Sequence, residues 1–135
     1  MPKNVLTVLT GAVESRHCCA IRYRDQTEAR VVEPHAIYEN ENGEIIIDCY
    51  QVSGYSSASR PPPFWRPFRL HKINAAAVLR KTFAPRRVEG FNPTRERYRK
   101  GLMYLVSESE ESFVRSIIAK PEPVGPFLPT KVLRR

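Results

Sequence analysis

The spacing of apolar residues divides the chain into one helical stretch followed by a succession of strands. In 4–16, NVLTVLTGAVESR, Leu6, Leu9 and Val13 recur near helical spacing, which predicts a short amphipathic helix although Gly11 and the threonines weaken it. CCAIRYRD at 18–25 alternates instead. Ile21 and Tyr23 share one face and Arg22 and Arg24 the other, as in a half-buried strand that turns near Asp25. ARVVEPHAIYEN at 29–40 is rich in β-formers, and Pro34, with no amide to give a ladder, belongs there at an edge or a bulge. Asn42 and Gly43 then mark a hairpin turn. In IIIDCYQVSG, 45–54, alternation puts Ile45, Ile47 and Cys49 on one face and Ile46, Asp48, Tyr50 and Val52 on the other. Both faces are largely apolar, so this strand is expected to lie centrally.

YSSASRPPP at 55–63 reads as a flexible connection ending in a stiff polyproline turn, and FWRPFRLHKI at 64–73 as the returning strand. Strict alternation sends Arg66 and Arg69 to opposite faces, whereas a bulge at Pro67 would bring them together. In NAAAVLRKTF, 74–83, the alanines favour a helix, but a fifth strand would complete a small barrel, and we take the strand. Beyond Phe83 the chain is polar and punctuated by proline. LMYLV at 102–106 adds one more short strand or packs over the barrel, and the sequence from 107 onward has the composition of a poorly ordered tail. The expected organisation is an N-terminal helix (1–17), a small β-barrel (18–83), a C-terminal extension (84–106) and a flexible tail (107–135), a mainly β fold of the α+β class.

Composition narrows the setting. A chain of 135 residues holds one domain with appendages, and 41% hydrophobic with 27% charged residues excludes wholesale disorder. No run approaches the roughly 20 apolar residues that cross a bilayer, and Glu14 and Arg16 stand where a secretory segment needs unbroken apolarity. A soluble, cytoplasmic protein with no membrane partner is expected. The 3 cysteines, Cys18, Cys19 and Cys49, cannot all pair internally and read as small buried side chains. Nothing pairs cysteines or histidines at metal-ligand spacing, so no metal is expected.

Charge changes the picture more. The net charge of +8 is unevenly spread: residues 1–53 balance at −3, 54–100 at +10 and 101–135 at +1. The basic third is dominated by arginine and holds Tyr55, Phe64, Trp65, Phe68, Phe91 and Tyr98. Guanidinium forks that grip phosphate oxygens, interleaved with π-faces, are what a nucleotide or a single strand requires. A solvated basic face that serves only solubility is the bland alternative. For catalysis the signals are missing: Glu33, His35, Asp48 and His71 are scattered, and with only 6 glycines there is no phosphate-cradling loop. We therefore expect no enzyme and no cofactor. A module that docks an acidic protein partner, with no nucleic-acid ligand, is the alternative to strand binding.

Taken together, IRYRD (21–25), RVVEPHAIYENENGEIII (30–47), DCYQVSG (48–54), WRPFRLHKI (65–73) and Phe83 resemble the WYL domain family of bacteria and phages, and GFNP (90–93) resembles that family's C-terminal extension. The Trp-Tyr-Leu triplet that names the family falls on Ile45, Ile46 and Ile47, so the signature itself is absent, and Tyr50 is the nearest tyrosine on the face of Ile46. The resemblance implies an Sm-like, Src-homology-3-like small β-barrel acting as a sensor module, in transcriptional regulation or phage defence, for single-stranded DNA or RNA or a nucleotide-like anion. About 20 residues precede the first strand, too few for a DNA-reading helix-turn-helix, so a protein partner carrying the DNA-binding domain is implied. On this resemblance the expected phosphate ligands are Arg66 and Arg69, with Lys72 as a supporting charge, His35 as a neutral donor or pH-tunable cation, and Tyr50 or Trp65 as the stacking surface.

Overall fold

The structure, a computed structural model, describes residues 5–56 and 61–107; the expected tail therefore lies, but for Ser107, outside the described residues, as does part of the 55–63 connection. Its elements follow the order α1 (Val5–Ser15), β1 (His17–Tyr23), β2 (Arg30–Glu39), β3 (Ile45–Gly54), β4 (Phe64–Arg69), a 3-10 turn (Leu70–Lys72), β5 (Ile73–Thr82), α2 (Arg97–Gly101) and β6 (Leu102–Leu105). In α1 the buried residues Val5, Leu9, Ala12 and Val13 form one stripe that packs on β5, β2 and β1. The helix stops where Arg16 takes a left-handed φ of 58°.

All strand pairs are antiparallel, in the order β4-β3-β2-β1-β5, with β6 added to β2. The apolar β3 lies centrally, between β2 and β4, as its two-faced pattern requires. Along β2, one edge is paired to β3 throughout; the other pairs β1 at Arg30–Val32 and β6 at Ala36–Tyr38. The switch coincides with a register shift between Pro34 and Ala36, which accommodates the missing proline amide and leaves His35 without a partner in β3.

A closed barrel is not what the ladder makes. The end strands β4 and β5 are joined by the 3-10 turn and are not hydrogen-bonded to each other, so the sheet is open. It is nonetheless strongly curled, because Tyr23 of β1 meets Phe68 of β4 edge-on at 4.8 Å although those strands are not neighbours. Residues directly opposite one another in a ladder share a face. The register therefore puts Cys19, Ile21, Tyr23, Val32, Ile37, Ile47, Cys49 and Phe68 on the concave face, all buried. All three cysteines are buried free thiols. Replacing the fully buried Phe68 by Ala would cost about 3–5 kcal/mol.

The opposite face carries Glu33, Ala36, Tyr38, Ile46, Asp48, Tyr50 and Trp65. It is covered by the C-terminal extension, whose Phe91 and Tyr98 are buried. Gly101 sits where any Cβ would strike the Glu39 carbonyl, and only that close approach lets β6 begin its pairing at Tyr38. Among the described residues no helix is long and apolar enough to cross a membrane.

Candidate anion-binding site

The two arginines expected to act together do not meet. In β4 the register runs Ile46↔Arg69, Ile47↔Phe68, Asp48↔Pro67 and Cys49↔Arg66 without a shift, so no bulge forms and alternation sends Arg66 to the concave face and Arg69 to the other. Pro67 needs no bulge because β4 ends the sheet and pairs on one side only. Arg69 is half-exposed, its Nε 3.8 Å from the Glu44 carboxylate, and its backbone amide donates to the Tyr23 hydroxyl at 3.1 Å. Lys72 lies in the 3-10 turn, where its carbonyl accepts the Arg24 amide at 2.8 Å.

His35, Tyr50 and Trp65 come together, but as packing beneath the extension. The His35 ring is fully buried with centroids of Trp65, Phe83 and Phe91 each 4.9 Å away. Its Nδ1 donates to the Glu33 carbonyl at 2.9 Å and its Nε2 accepts the Arg86 amide at 3.1 Å, which fixes one neutral tautomer. Burial, with the Arg86 charge adding to it, pushes the imidazole down to about 4. It is therefore a structural histidine, neither a surface donor nor a cation at neutral pH. Tyr50 is buried under the Arg86 guanidinium, 4.8 Å from its ring, and packs against Trp65 at 5.0 Å. The Trp65 indole donates to the Glu89 carbonyl at 2.8 Å, and one side of the residue lines a cleft of about 230 Å³ shared with Pro67, Phe91, Arg95 and Arg97.

Two members of the basic third are consumed by buried acids. Arg86 clasps Glu33, 2% exposed in its side chain, through two contacts of 2.8 and 2.9 Å, and this hydrogen-bonded pairing holds the guanidinium charged. On β3, Asp48 Oδ2 accepts from Arg97 at 3.1 and 3.2 Å and from the buried Tyr98 hydroxyl at 2.7 Å. Burial, and then the Asp48 charge, raises the Tyr98 hydroxyl well above its ordinary range, so it remains a donor. These contacts tie the extension to the sheet.

What Arg66 does meet is on the concave face. Its guanidinium carbon lies 5.4 Å from the Phe68 centroid and 5.8 Å from that of Tyr23. Arg30 approaches the same rings at 5.3 Å each, and Tyr55 at 5.2 Å. Arg24 completes the group, 5.6 Å from Tyr23. Three guanidinium groups thus surround one tyrosine ring, with a second tyrosine beside them. Arg30 is 1% exposed, and among the described residues its hydrogen bonds go to neutral acceptors, Gln51 Oε1 at 3.3 Å and Gln26 Oε1 at 3.0 Å. The Nε atoms of both Arg30 and Arg66 are buried with no partner among the described residues. No carboxylate there pairs with Arg24, Arg30 or Arg66. Burial and the neighbouring Arg66 and Arg24 charges draw the Arg30 guanidinium below its ordinary value. Uncompensated positive charge at a buried depth is chemically suited to an anion.

Arg24, Arg30, Tyr23 and Tyr55 were not among the expected site residues. The charge count had placed Arg24 and Arg30 in the acidic third, yet alternation back from Val32 puts Arg30 on the concave face, and an arginine at an inward position was the available signal. Gly54, at φ 100°, makes this placement feasible: a Cβ there would collide with the Ala29 carbonyl and the Arg30 Cα.

No known family profile matches the chain. No curated protein is similar to it at a significant level. Among solved structures it is similar to proteasome accessory factor B/C (PafBC) of Arthrobacter aurescens, with 20% identity and a TM-score of 0.48, over 64% of this chain and 13% of that one.

Proposed function

We propose that this chain is a non-enzymatic binding module for a nucleic-acid strand or a nucleotide-like anion, acting as a regulatory sensor. The observation that carries the reading is the group Arg24, Arg30 and Arg66 around Tyr23, with buried unpartnered Nε atoms and no acid among the described residues. Phosphate oxygens satisfy such donors, and Tyr55, only partly buried beside Arg30, offers a π-face to an adjoining base. The segments that resemble the WYL family cover the end of β1, then β2, β3, most of β4 and the 3-10 turn, and so hold Tyr23, Arg24, Arg30 and Arg66.

The test is binding of single-stranded DNA and RNA of about 10 nucleotides by fluorescence anisotropy at several salt concentrations. Binding that weakens with salt, and that falls at least about tenfold in an Arg24→Ala, Arg66→Ala double variant, is expected. Unchanged affinity in that variant would remove the site from the account. Binding of an acidic peptide but of neither strand would move the protein to the partner-docking class, and turnover of any nucleotide would make it an enzyme.

A further inference from the structure

We infer that the Arg24–Arg30–Arg66 group takes a terminal phosphate, so that the protein reads the end of a strand in preference to its interior; this rests on the function proposed above. Two features separate an end from a passing backbone. The first is depth. Arg30 is 1% exposed and its neighbour Gln51 is fully buried, so whatever reaches the free Arg30 Nε must enter the curl of the sheet. An internal phosphodiester is flanked by two sugars and cannot descend without dragging both strand arms in, whereas a terminal phosphate is tethered on one side only. The second is charge. An internal linkage carries a single negative charge, while a terminal monoester carries about −1.5 to −2 near pH 7 and has three acceptor oxygens instead of two.

Among the described residues no carboxylate is ion-paired with Arg24, Arg30 or Arg66. Gln26 and Gln51 already accept from Arg30, and the rings of Tyr23 and Tyr55 lie against its guanidinium. A monoester oxygen bridging the Nε donors of Arg30 and Arg66, with Arg24 over a further oxygen, would satisfy both orphaned donors at once. Tyr55 then lies where the first base beyond the phosphate can stack.

The experiment uses one 10-nucleotide DNA sequence in three forms: 5′-phosphorylated, 3′-phosphorylated, and with hydroxyls at both ends. The expected result is that one phosphorylated form binds about tenfold or more tightly than the hydroxyl form. Arg66→Gln, at a half-buried position, should bring that ratio close to one; Arg30→Gln should do the same where it folds. Equal affinity of all three forms overturns the end-reading while leaving strand binding intact. A preference that survives Arg66→Gln overturns the assigned site. Binding of none of the three forms overturns both this inference and the function on which it rests.

Discussion

His35 gives the most quantitative handle on the molecule. Its ring is sealed among Trp65, Phe83 and Phe91, and its two nitrogens are committed to the Glu33 carbonyl and the Arg86 amide. Protonation of Nε2 would set a new N–H against the Arg86 amide, so the folded protein holds this imidazole neutral down to about 4 against 6.5 in the unfolded chain. The contribution is whole above the unfolded value. As pH falls below 6.5 the unfolded state takes up the proton first and stability declines; the loss levels off once the folded ring also titrates, near 4. Over that window the shift corresponds to about 3 kcal/mol. A His35→Phe variant abandons both hydrogen bonds and should be about 1–3 kcal/mol less stable at pH 7.5, but it has no imidazole to titrate. Urea unfolding followed by fluorescence of Trp65, the single tryptophan, at pH 7.5, 6, 5 and 4.5 measures the difference between the two proteins, in which all other titrating groups cancel. The gap should close on acidification. A gap independent of pH, or an NMR titration of the His35 ring centred near 6.5, would refute the neutral buried assignment.

Other outcomes follow from the same geometry. Asp48→Asn weakens the acceptor shared by Arg97 and Tyr98, and because Arg97 is half-exposed and able to return to water the cost should be about 1–3 kcal/mol, accompanied by faster proteolysis within 84–106. The three cysteines are buried, and burial raises every one of their thiols, Cys18 to about 11, so a thiol reagent at pH 8 should label none in the native protein and all three in denaturant. Gly54→Ala should destabilise by about 1–3 kcal/mol, read as a lowered urea midpoint, since the added methyl meets the Arg30 backbone at a positive φ.

The order of strands was legible because it rests on local signals. Alternation in 18–25 and 45–54, the Asn42–Gly43 turn and the proline without a donor at 34 each act within a few residues, and β1, β3, the hairpin and the β2 bulge stand where they indicate. The strand from Phe64 ended early, at Arg69, because the 3-10 turn over Leu70–Lys72 swings the chain to the far end of the sheet, a tertiary demand with no local marker. Site residues were harder. Arg66 and Arg69 are three apart, and without a bulge the parity of the strand alone separates them. The basic third looked uniformly free because the acids that bind Arg86 and Arg97 lie 53 and 49 residues upstream. Arg30 escaped notice for the converse reason: a count along the chain dilutes it among acids that the fold carries elsewhere.

The divided edge of β2 has a consequence for how the chain is made. Ala36–Tyr38 receive their second ladder from Leu102–Leu105, which emerge from the ribosome some 60 residues later, after β1 to β5 have been synthesised. Until then the nascent sheet displays bare amides and carbonyls along a hydrophobic strand, a template for a neighbouring chain. A product truncated before Leu102 would keep that vulnerability permanently, and self-association rather than lost affinity would be its first defect.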